Sequence, residues 1–152
     1  MNTVREFEGF IKEGVVKVQA PDKSRAKFLI TESENSYRLL SELMEKIKVE
    51  DHSANMFVKS CYDILMELIR AKMLLDGYNA SGFGAHEAEV AYLRKLGYSE
   101  TDIQFVDQLR YFRNGMLYYG TILDQEYAQI VIKFTKKNYN KFKEMSKWLF
   151  NI

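Results

Sequence analysis

The densest chemistry in this sequence lies in residues 108–120, QLRYFRNGMLYYG, which mix two arginines, an asparagine and three tyrosines with apolar residues. A helical spacing of four residues places Arg110, Asn114 and Tyr118 in one row, with Arg113 beside it. A guanidinium presents five N–H donors in a planar fork that suits phosphate, and its neighbours add a carboxamide and a phenol. The pattern favours a site that holds a phosphate-bearing ligand.

The same residues also have a purely structural interpretation. Arg110 and Arg113 would then pair with acids of a neighbouring helix, and Asn114 would satisfy a backbone group. Asp63 and Glu67 are the candidate acids. The sequence alone leaves both interpretations open.

A predicted helix carries this stretch. Ser99 is placed to cap its start, acidic residues follow in the first turn, and Gly120 ends it. The residues predicted to be buried along it are Ile103, Val106 or Phe105, Leu109, Phe112, Met116 and Tyr119.

Apolar residues at helical spacing predict three further long helices. These cover residues 22–48 with Asp22 or Ser24 as the cap, residues 54–76 between a Ser53 cap and Gly77, and residues 124–148, which end near Trp148. The apolar sets of the first and last include Phe28, Leu39, Ile47 and Ile130. A short helix is predicted over residues 85–96 and another within residues 3–18, where VVKV equally suits an extended strand. Residues 78–84, YNASGFG, have the composition of a loop.

These elements predict an all-α fold, an antiparallel up-and-down helical bundle of four long helices plus one or two short helices. The length predicts a single domain, residues 1–152, in which residues 1–20 form an N-terminal extension and residues 22–149 form the bundle.

Composition excludes several classes of function. One cysteine allows no intrachain disulfide, and one cysteine with two histidines cannot form an ordinary zinc site, so no metal and no cofactor are predicted. The sequence shows no signal peptide and no apolar run that would span a membrane, so we expect a cytoplasmic protein without a membrane partner.

Charge is unevenly distributed along the chain. From Lys133 onwards six lysines face one acid, Glu144, a local charge of +5, so the remainder carries −4 of the net +1. Lysines interleaved with aromatic residues suit either a nucleic-acid backbone or a solvated helix face over a packed core.

His86 follows the glycine-rich loop and precedes two glutamates. The sequence His-Glu-Ala-Glu-Val is not the H-E-x-x-H zinc motif, because Val90 stands at the second histidine position. We expect His86 to hold the loop in place and to lie at the edge of the ligand cleft.

The sequence RNGMLYYG, preceded by LRYF, resembles the signature of HEPN domains, helical-bundle proteins of bacteria and archaea. Their motif is arginine, usually asparagine, three further residues and histidine. The preceding segment CYDILMELIRAKMLLDGYNASGFGAHEAEVAYLRKLG resembles the family's second helix, loop and short helix, and the resemblance covers roughly residues 24–145.

The resemblance implies a homodimer whose two motifs face a shared cleft. In active members the arginine binds the scissile phosphate, and the histidine takes part in metal-independent RNA cleavage. Arg113 and Asn114 match the motif, whereas Tyr118 stands where the histidine is expected. Free tyrosine titrates at about pH 10 and free histidine at about 6.5, so a phenol is a poor general acid or base at neutral pH. We therefore expect little or no catalytic activity.

Many HEPN proteins act beside a small nucleotidyltransferase, as its substrate-binding or toxin–antitoxin partner. The resemblance thus implies a module that binds nucleotide or RNA phosphate and is partnered by a nucleotidyltransferase. In that setting Tyr118 and Tyr119 are candidate nucleotidylation sites. The alternatives are a metal-independent ribonuclease toxin, with Arg113, Asn114 and Tyr118 as its catalytic set, and a structural dimer without a ligand site.

Overall fold

The computed structural model describes residues 3–147, with side chains through residue 145, and it confirms the all-α prediction. The helices are α1 (Phe7–Lys12), α2 (Lys23–Lys46), α3 (Asp51–Leu75), α4 (Ala85–Lys95), α5 (Glu100–Tyr118) and α6 (Gln125–Lys147). Two short strands, β1 (Val16–Val18) and β2 (Tyr78–Ala80), complete the described elements. Four helices are long and two are short, as the sequence predicts. Trp148, where the last helix is predicted to end, lies outside the described residues.

The long helices alternate in direction around α3. The backbone N–H of Asp22, at the start of α2, donates to the carbonyl of Leu74, at the end of α3, at 3.0 Å. The Asn55 side chain, in the first turns of α3, donates to the carbonyl of Thr121, just beyond the end of α5, at 2.8 Å. Short connections then return the chain from α2 to α3 and from α5 to α6. The bundle is therefore up-and-down, with α3 at its centre.

Helix α3 is central because its apolar residues surround the helix rather than forming one stripe. A helix that is hydrophobic on nearly all sides is buried by neighbours on nearly all sides. Its fully buried residues include Ala54, Phe57, Val58, Cys61, Ile64, Leu65, Leu68, Ile69, Met73 and Leu74. The polar side chains of α3 can therefore lie only where a neighbouring helix leaves space.

The helix caps agree with the sequence at two places and differ at one. Asp22 accepts the N–H of Arg25 at 3.0 Å, and Ser99 accepts the N–H of Asp102 at 3.1 Å. The prediction that Ser53 caps α3 is wrong, because the helix already begins at Asp51. Ser53 instead sits in the first turn, where its hydroxyl accepts the N–H of the capping residue, Glu50, at 3.0 Å.

The loop predicted over residues 78–84 is partly wrong. Tyr78–Ala80 forms β2 and pairs antiparallel with β1, Val16 opposite Ala80. The extended alternative for VVKV is thus the one that occurs. The two strands are about sixty residues apart in sequence, so no local pattern reveals their pairing.

The N-terminal segment packs into the same core as the bundle. Phe7 and Phe10 of α1 are buried, and the Phe7 ring lies 4.8 Å from the Tyr92 ring of α4 and 5.2 Å from the Tyr78 ring of β2. Residues 3–18 thereby hold α4 against the rest of the molecule.

Five residues in the predicted apolar sets are exposed: Phe28, Leu39, Ile47, Tyr119 and Ile130. Ile47 and Tyr119 follow the last residues of their helices, so they leave the helical face on which the prediction placed them. The other three lie at the solvent-facing edge of their stripes, because the packed faces of α2 and α6 are narrower than the apolar patterns.

No helix within residues 3–147 has the length and apolar character needed to cross a lipid bilayer.

Candidate functional site

A cavity of about 200 Å³ opens between α3 and the last turns of α5, with the start of α4 at one end. Helix α3 can line it with polar groups because α2 and α6 pack against its other sides. The lining residues are Tyr62, Asp63, Met66, Glu67 and Arg70 of α3, His86 of α4, and Arg113, Asn114 and Leu117 of α5. Three residues predicted from the sequence, His86, Arg113 and Asn114, thus lie around one cavity.

Arg113 is the unusual group in this cavity, because its guanidinium is mostly buried and poorly paired. Its side chain is 22% exposed, and its nearest carboxylate oxygen, Oδ1 of Asp63, is 3.9 Å from Nε. That distance is too long for a hydrogen bond. Atoms Nε and Nη1 are buried and find no hydrogen-bond acceptor in the part of the chain that the structure describes. Arg113 is therefore only weakly paired with the acid that the structural interpretation assigned to it.

Two carboxyl groups on α3 face the same space. Burial raises the pKa of Asp63, against the opposing effect of the Arg113 and Arg70 charges. Burial also raises the pKa of Glu67, and the negative charges of Asp63 and Glu32 raise it further. Glu67 Oε2 is buried and receives no hydrogen bond from any residue within the described range. The cavity thus contains unpaired donors and an unpaired acceptor.

Arg70, the second guanidinium of the cavity, is paired. Its Nε lies 2.5 Å from Oε2 of Glu89, and its Nη2 lies 3.2 Å from Oε1. Glu89 is only 2% exposed, and its Oε1 is also 3.0 Å from Nδ1 of His86. One buried carboxylate therefore fixes Arg70 and His86 and neutralises the Arg70 charge, whereas Arg113 has only the 3.9 Å contact with Asp63 among the described residues.

Arg110 lies elsewhere. Its Nε donates to Asp107 Oδ1 at 2.9 Å, and its Nη1 is 3.9 Å from Glu87 Oε1. It lines a separate cavity of about 330 Å³ together with Arg5 and other residues of the N-terminal segment. Arg110, Asn114 and Tyr118 do lie four residues apart on one helix, as predicted, but Arg110 and Arg113 line different cavities.

Tyr118 and Tyr119 point away from the cavity into solvent. Tyr118 is 75% exposed and Tyr119 is 86% exposed, and neither lines the space between α3 and α5. Leu117 occupies the cavity wall at that level. Within one chain, Tyr118 therefore does not stand beside Arg113 as a reacting group.

The end of α5 is fixed by close backbone packing. The carbonyl of Gly115 accepts the N–H groups of Tyr119 at 2.8 Å and Thr121 at 3.1 Å, and Gly120 adopts a φ of +66°. A Cβ on Gly115 would lie 2.3 Å from the hydroxyl of Thr121. Glycine is required there so that the chain can fold back against the helix and hold the last turn in place.

Asn55 of α3 holds the chain beyond that turn. Its Nδ2 donates to the Thr121 carbonyl at 2.8 Å, and its Oδ1 accepts the Leu123 N–H at 2.8 Å. Both contacts join segments more than sixty residues apart, so sequence inspection does not find them.

Within residues 125–145 of α6, the lysines lie on a solvated face, while the aromatic residues belong to the core. Lys133, Lys136, Lys137, Lys141 and Lys143 are exposed, whereas Tyr139 and Phe142 are buried. Lys141 and Lys143 lie over the Tyr98 and Tyr139 rings, at 4.0 and 5.6 Å from the ring centres.

Cys61 is enclosed by the core, where burial raises the pKa of its thiol to about 11. No set of three or more His, Cys, Asp or Glu side chains in residues 3–145 is arranged to hold a metal ion.

Comparison with known proteins brings no relative: no protein-family model, curated protein or solved structure matches this chain. The resemblance to HEPN domains therefore stays a prediction based on the motif and the order of helices.

The sequence predicts Asp63 and Glu67 only as acids that pair with the arginines, and it does not place Arg70 at the site. Asp63, Glu67 and Arg70 are charged positions in a helix whose other faces are almost entirely apolar. Charges at spacings of three and four residues in such a helix indicate a polar opening, and this signal was available. The pairing of Arg70 with Glu89 was not, because it depends on how α4 packs.

Proposed function

We propose that this protein is a binding module for nucleotide or RNA phosphate, and that Arg113 holds the phosphate in the cavity between α3 and α5. The observation that carries the proposal is the guanidinium of Arg113, whose buried Nε and Nη1 have no acceptor in the described chain. A buried N–H without a partner costs about 1–3 kcal/mol, so the free protein gains from a ligand that supplies acceptors. Phosphate offers several, in a geometry that a guanidinium matches.

Neighbouring groups support this assignment. Asn114 lines the cavity beside Arg113, and its carboxamide adds a neutral donor. His86 stands at the far end, held by Glu89. Asp63 opposes an anion electrostatically, but its side chain is 53% exposed and its contact with Arg113 is long, so it can turn into solvent when phosphate enters.

We further propose that two copies associate through the exposed apolar surface next to the cavity. This surface consists of Tyr111, Leu117, Tyr118, Tyr119 and Ile122. Leu117 belongs to both the surface and the cavity wall, so association there would bring the two cavities close together. This is the homodimer that the motif resemblance implies.

The proposed partner is a small nucleotidyltransferase in a toxin–antitoxin-like system, and this part rests on the motif resemblance. The phenols of Tyr118 and Tyr119, which are exposed in the single chain, are the groups it would modify before two copies associate. Co-expression followed by mass spectrometry tests this: a mass increase of one nucleotide on the peptide with both tyrosines supports it, and an unmodified peptide counts against it.

Binding is tested by titrating a fluorescein-labelled short single-stranded RNA, and separately AMP, with the purified protein in EDTA. Arg113→Ala should weaken binding by roughly 10–100-fold, because a hydrogen bond to a charged group contributes about 1.5–3 kcal/mol. Arg110→Ala is the matched control: the same helix and residue type, one turn away, in the other cavity. Equal weakening by both variants, or an unaffected Arg113→Ala, would refute the assignment.

One observation favours a second function, a metal-independent ribonuclease. Asp63 and Glu67 have raised pKa values and line the same cavity as Arg113, so they offer acid–base groups where the motif has lost its histidine. Incubation of mixed RNA with the protein in EDTA distinguishes the two functions. Cleavage that disappears in Arg113→Ala would establish the nuclease, and binding without cleavage would support the module.

A further inference from the structure

The cavity contains both hydrogen-bond donors and a hydrogen-bond acceptor that have no partner among the described residues. Arg113 has buried donors that need an acceptor, and Glu67 has a buried acceptor, Oε2, that needs a donor, with no partner for either among the residues described. Arg70, the nearby cation, directs its Nε and Nη2 at Glu89 and makes no hydrogen bond to Glu67. Fully ionised phosphate supplies acceptors only. While Glu67 is ionised, a ligand that satisfies the whole cavity must therefore carry a donor group as well as an anion.

The distance between the unpaired donors of Arg113 and the unpaired acceptor of Glu67 limits which ligand group can donate to Glu67. Asp63 lies 3.9 Å from Arg113 Nε, and Glu67 is four residues further along the same helix. Residues at this spacing share one face and are separated by one helical turn, about 6 Å along the axis. The donor must consequently lie a short distance from the phosphate.

A ribose hydroxyl satisfies this condition. In a nucleoside 3′-phosphate, the 2′-hydroxyl and the phosphate are on neighbouring ring carbons, whereas the hydrogen-bonding edge of the base lies on the far side of the sugar. A carboxylate that accepts from a hydroxyl is chemically suited to recognise this group, and the 2′-hydroxyl is the feature that separates RNA from DNA.

We propose that Glu67 accepts a hydrogen bond from the ribose 2′-hydroxyl while Arg113 holds the adjacent phosphate, so that the cavity selects ribonucleotides over deoxyribonucleotides. The inference rests on the proposed phosphate-binding function and adds a specificity residue to it. A deoxyribose in the same position would leave Glu67 Oε2 buried without a donor, as it is in the free protein.

Calorimetric titration with uridine 3′-monophosphate and with 2′-deoxyuridine 3′-monophosphate tests the proposal. These probes have no 5′ leaving group, so cleavage cannot complicate the reading. Wild-type protein should bind the ribonucleotide roughly 10–100-fold more tightly, the ratio that a hydrogen bond to a charged group gives. In Glu67→Met, which keeps the side-chain volume but removes the acceptor, the ratio should fall to within about two-fold.

Glu32→Met is the matched control. Glu32 is an exposed acid whose charge acts on Glu67 without lining the cavity, so its removal changes the local field and keeps the acceptor. The ratio should survive in this variant, whatever happens to the absolute affinities. Circular dichroism spectra of all variants establish that they are folded.

The failures are distinguishable. If wild-type protein binds both probes equally, or if the ratio persists in Glu67→Met, the ribose assignment is overturned while phosphate binding stands. If neither probe binds, or if both bind as well to Arg113→Ala as to wild type, the phosphate site fails and the ribose assignment fails with it.

Discussion

Replacing Arg113 by methionine should make the protein more stable and, at the same time, unable to hold its ligand. Methionine keeps an unbranched apolar stem in the place of the arginine stem but removes the guanidinium. A residue that serves the fold would lose stability on this change. A residue held ready for a ligand would not, so the sign of the effect separates the two roles.

The expected magnitude follows from the contacts of Arg113. Two buried N–H donors without acceptors cost about 1–3 kcal/mol each, so their removal gains about 2 kcal/mol or more. The 3.9 Å contact with the half-exposed Asp63 contributes about 0–1 kcal/mol, which is lost. The net gain is at least about 1 kcal/mol, and for a domain of this size it raises Tm by about 2–4 °C.

Thermal unfolding followed by circular dichroism measures this change, with Arg70→Met as the control on the opposite wall of the cavity. Arg70 is paired with Glu89, so its loss leaves a buried carboxylate without its guanidinium partner and should cost about 3–5 kcal/mol. A Tm for Arg113→Met that falls by several degrees, as expected for Arg70→Met, would show that Arg113 supports the fold and would refute the reasoning.

Three further changes test other features. Glu67→Gln should raise Tm at pH 7 but not at pH 4. Burial raises the pKa of Glu67 in the folded protein, so the protonated wild-type side chain contributes its full stability to the fold below about pH 4.5 and loses that contribution as pH rises through the folded pKa. Gly115→Ala should cost about 1–3 kcal/mol in urea denaturation because its Cβ meets the Thr121 hydroxyl at 2.3 Å, whereas Gly9→Ala, in open space on a helix, should be neutral or stabilising. Tyr98→Phe should raise the free energy of unfolding by about 1 kcal/mol, because the Tyr98 hydroxyl is buried without a partner in the described chain. A decrease would show that the hydroxyl is hydrogen-bonded and would contradict this prediction.

The sequence predicts the helices well because their signals are local. Apolar residues recur at helical spacing over long stretches, and Asp22, Ser99 and Gly120 mark helix boundaries within a few residues of their effect. The same locality explains why the sequence groups Arg113 and Asn114, which are consecutive residues of one helix.

What the sequence does not predict depends on contacts between distant segments. The pairing of β1 with β2, the Asn55 contact with Thr121 and the Arg70–Glu89 ion pair each join elements whose relative placement is decided by the packing of the core. Helical spacing likewise groups Arg110 with Asn114, but the N-terminal segment and α4 create a second opening that separates their surroundings. Local pattern therefore identifies the candidate groups, and packing decides which of them share a cavity.

The Asn55 contact makes the chain sensitive to a slow chemical change. The amide nitrogen of Asn55 donates to the Thr121 carbonyl, while its oxygen accepts from Leu123. Hydrolytic deamidation would replace that nitrogen by a carboxylate oxygen, so an acceptor would face the carbonyl and repel it, although the bond from Leu123 would survive. Deamidation of this one side chain on α3 would therefore break one of the two hydrogen bonds that hold the chain after the last turn of α5, although Asn55 does not line the cavity.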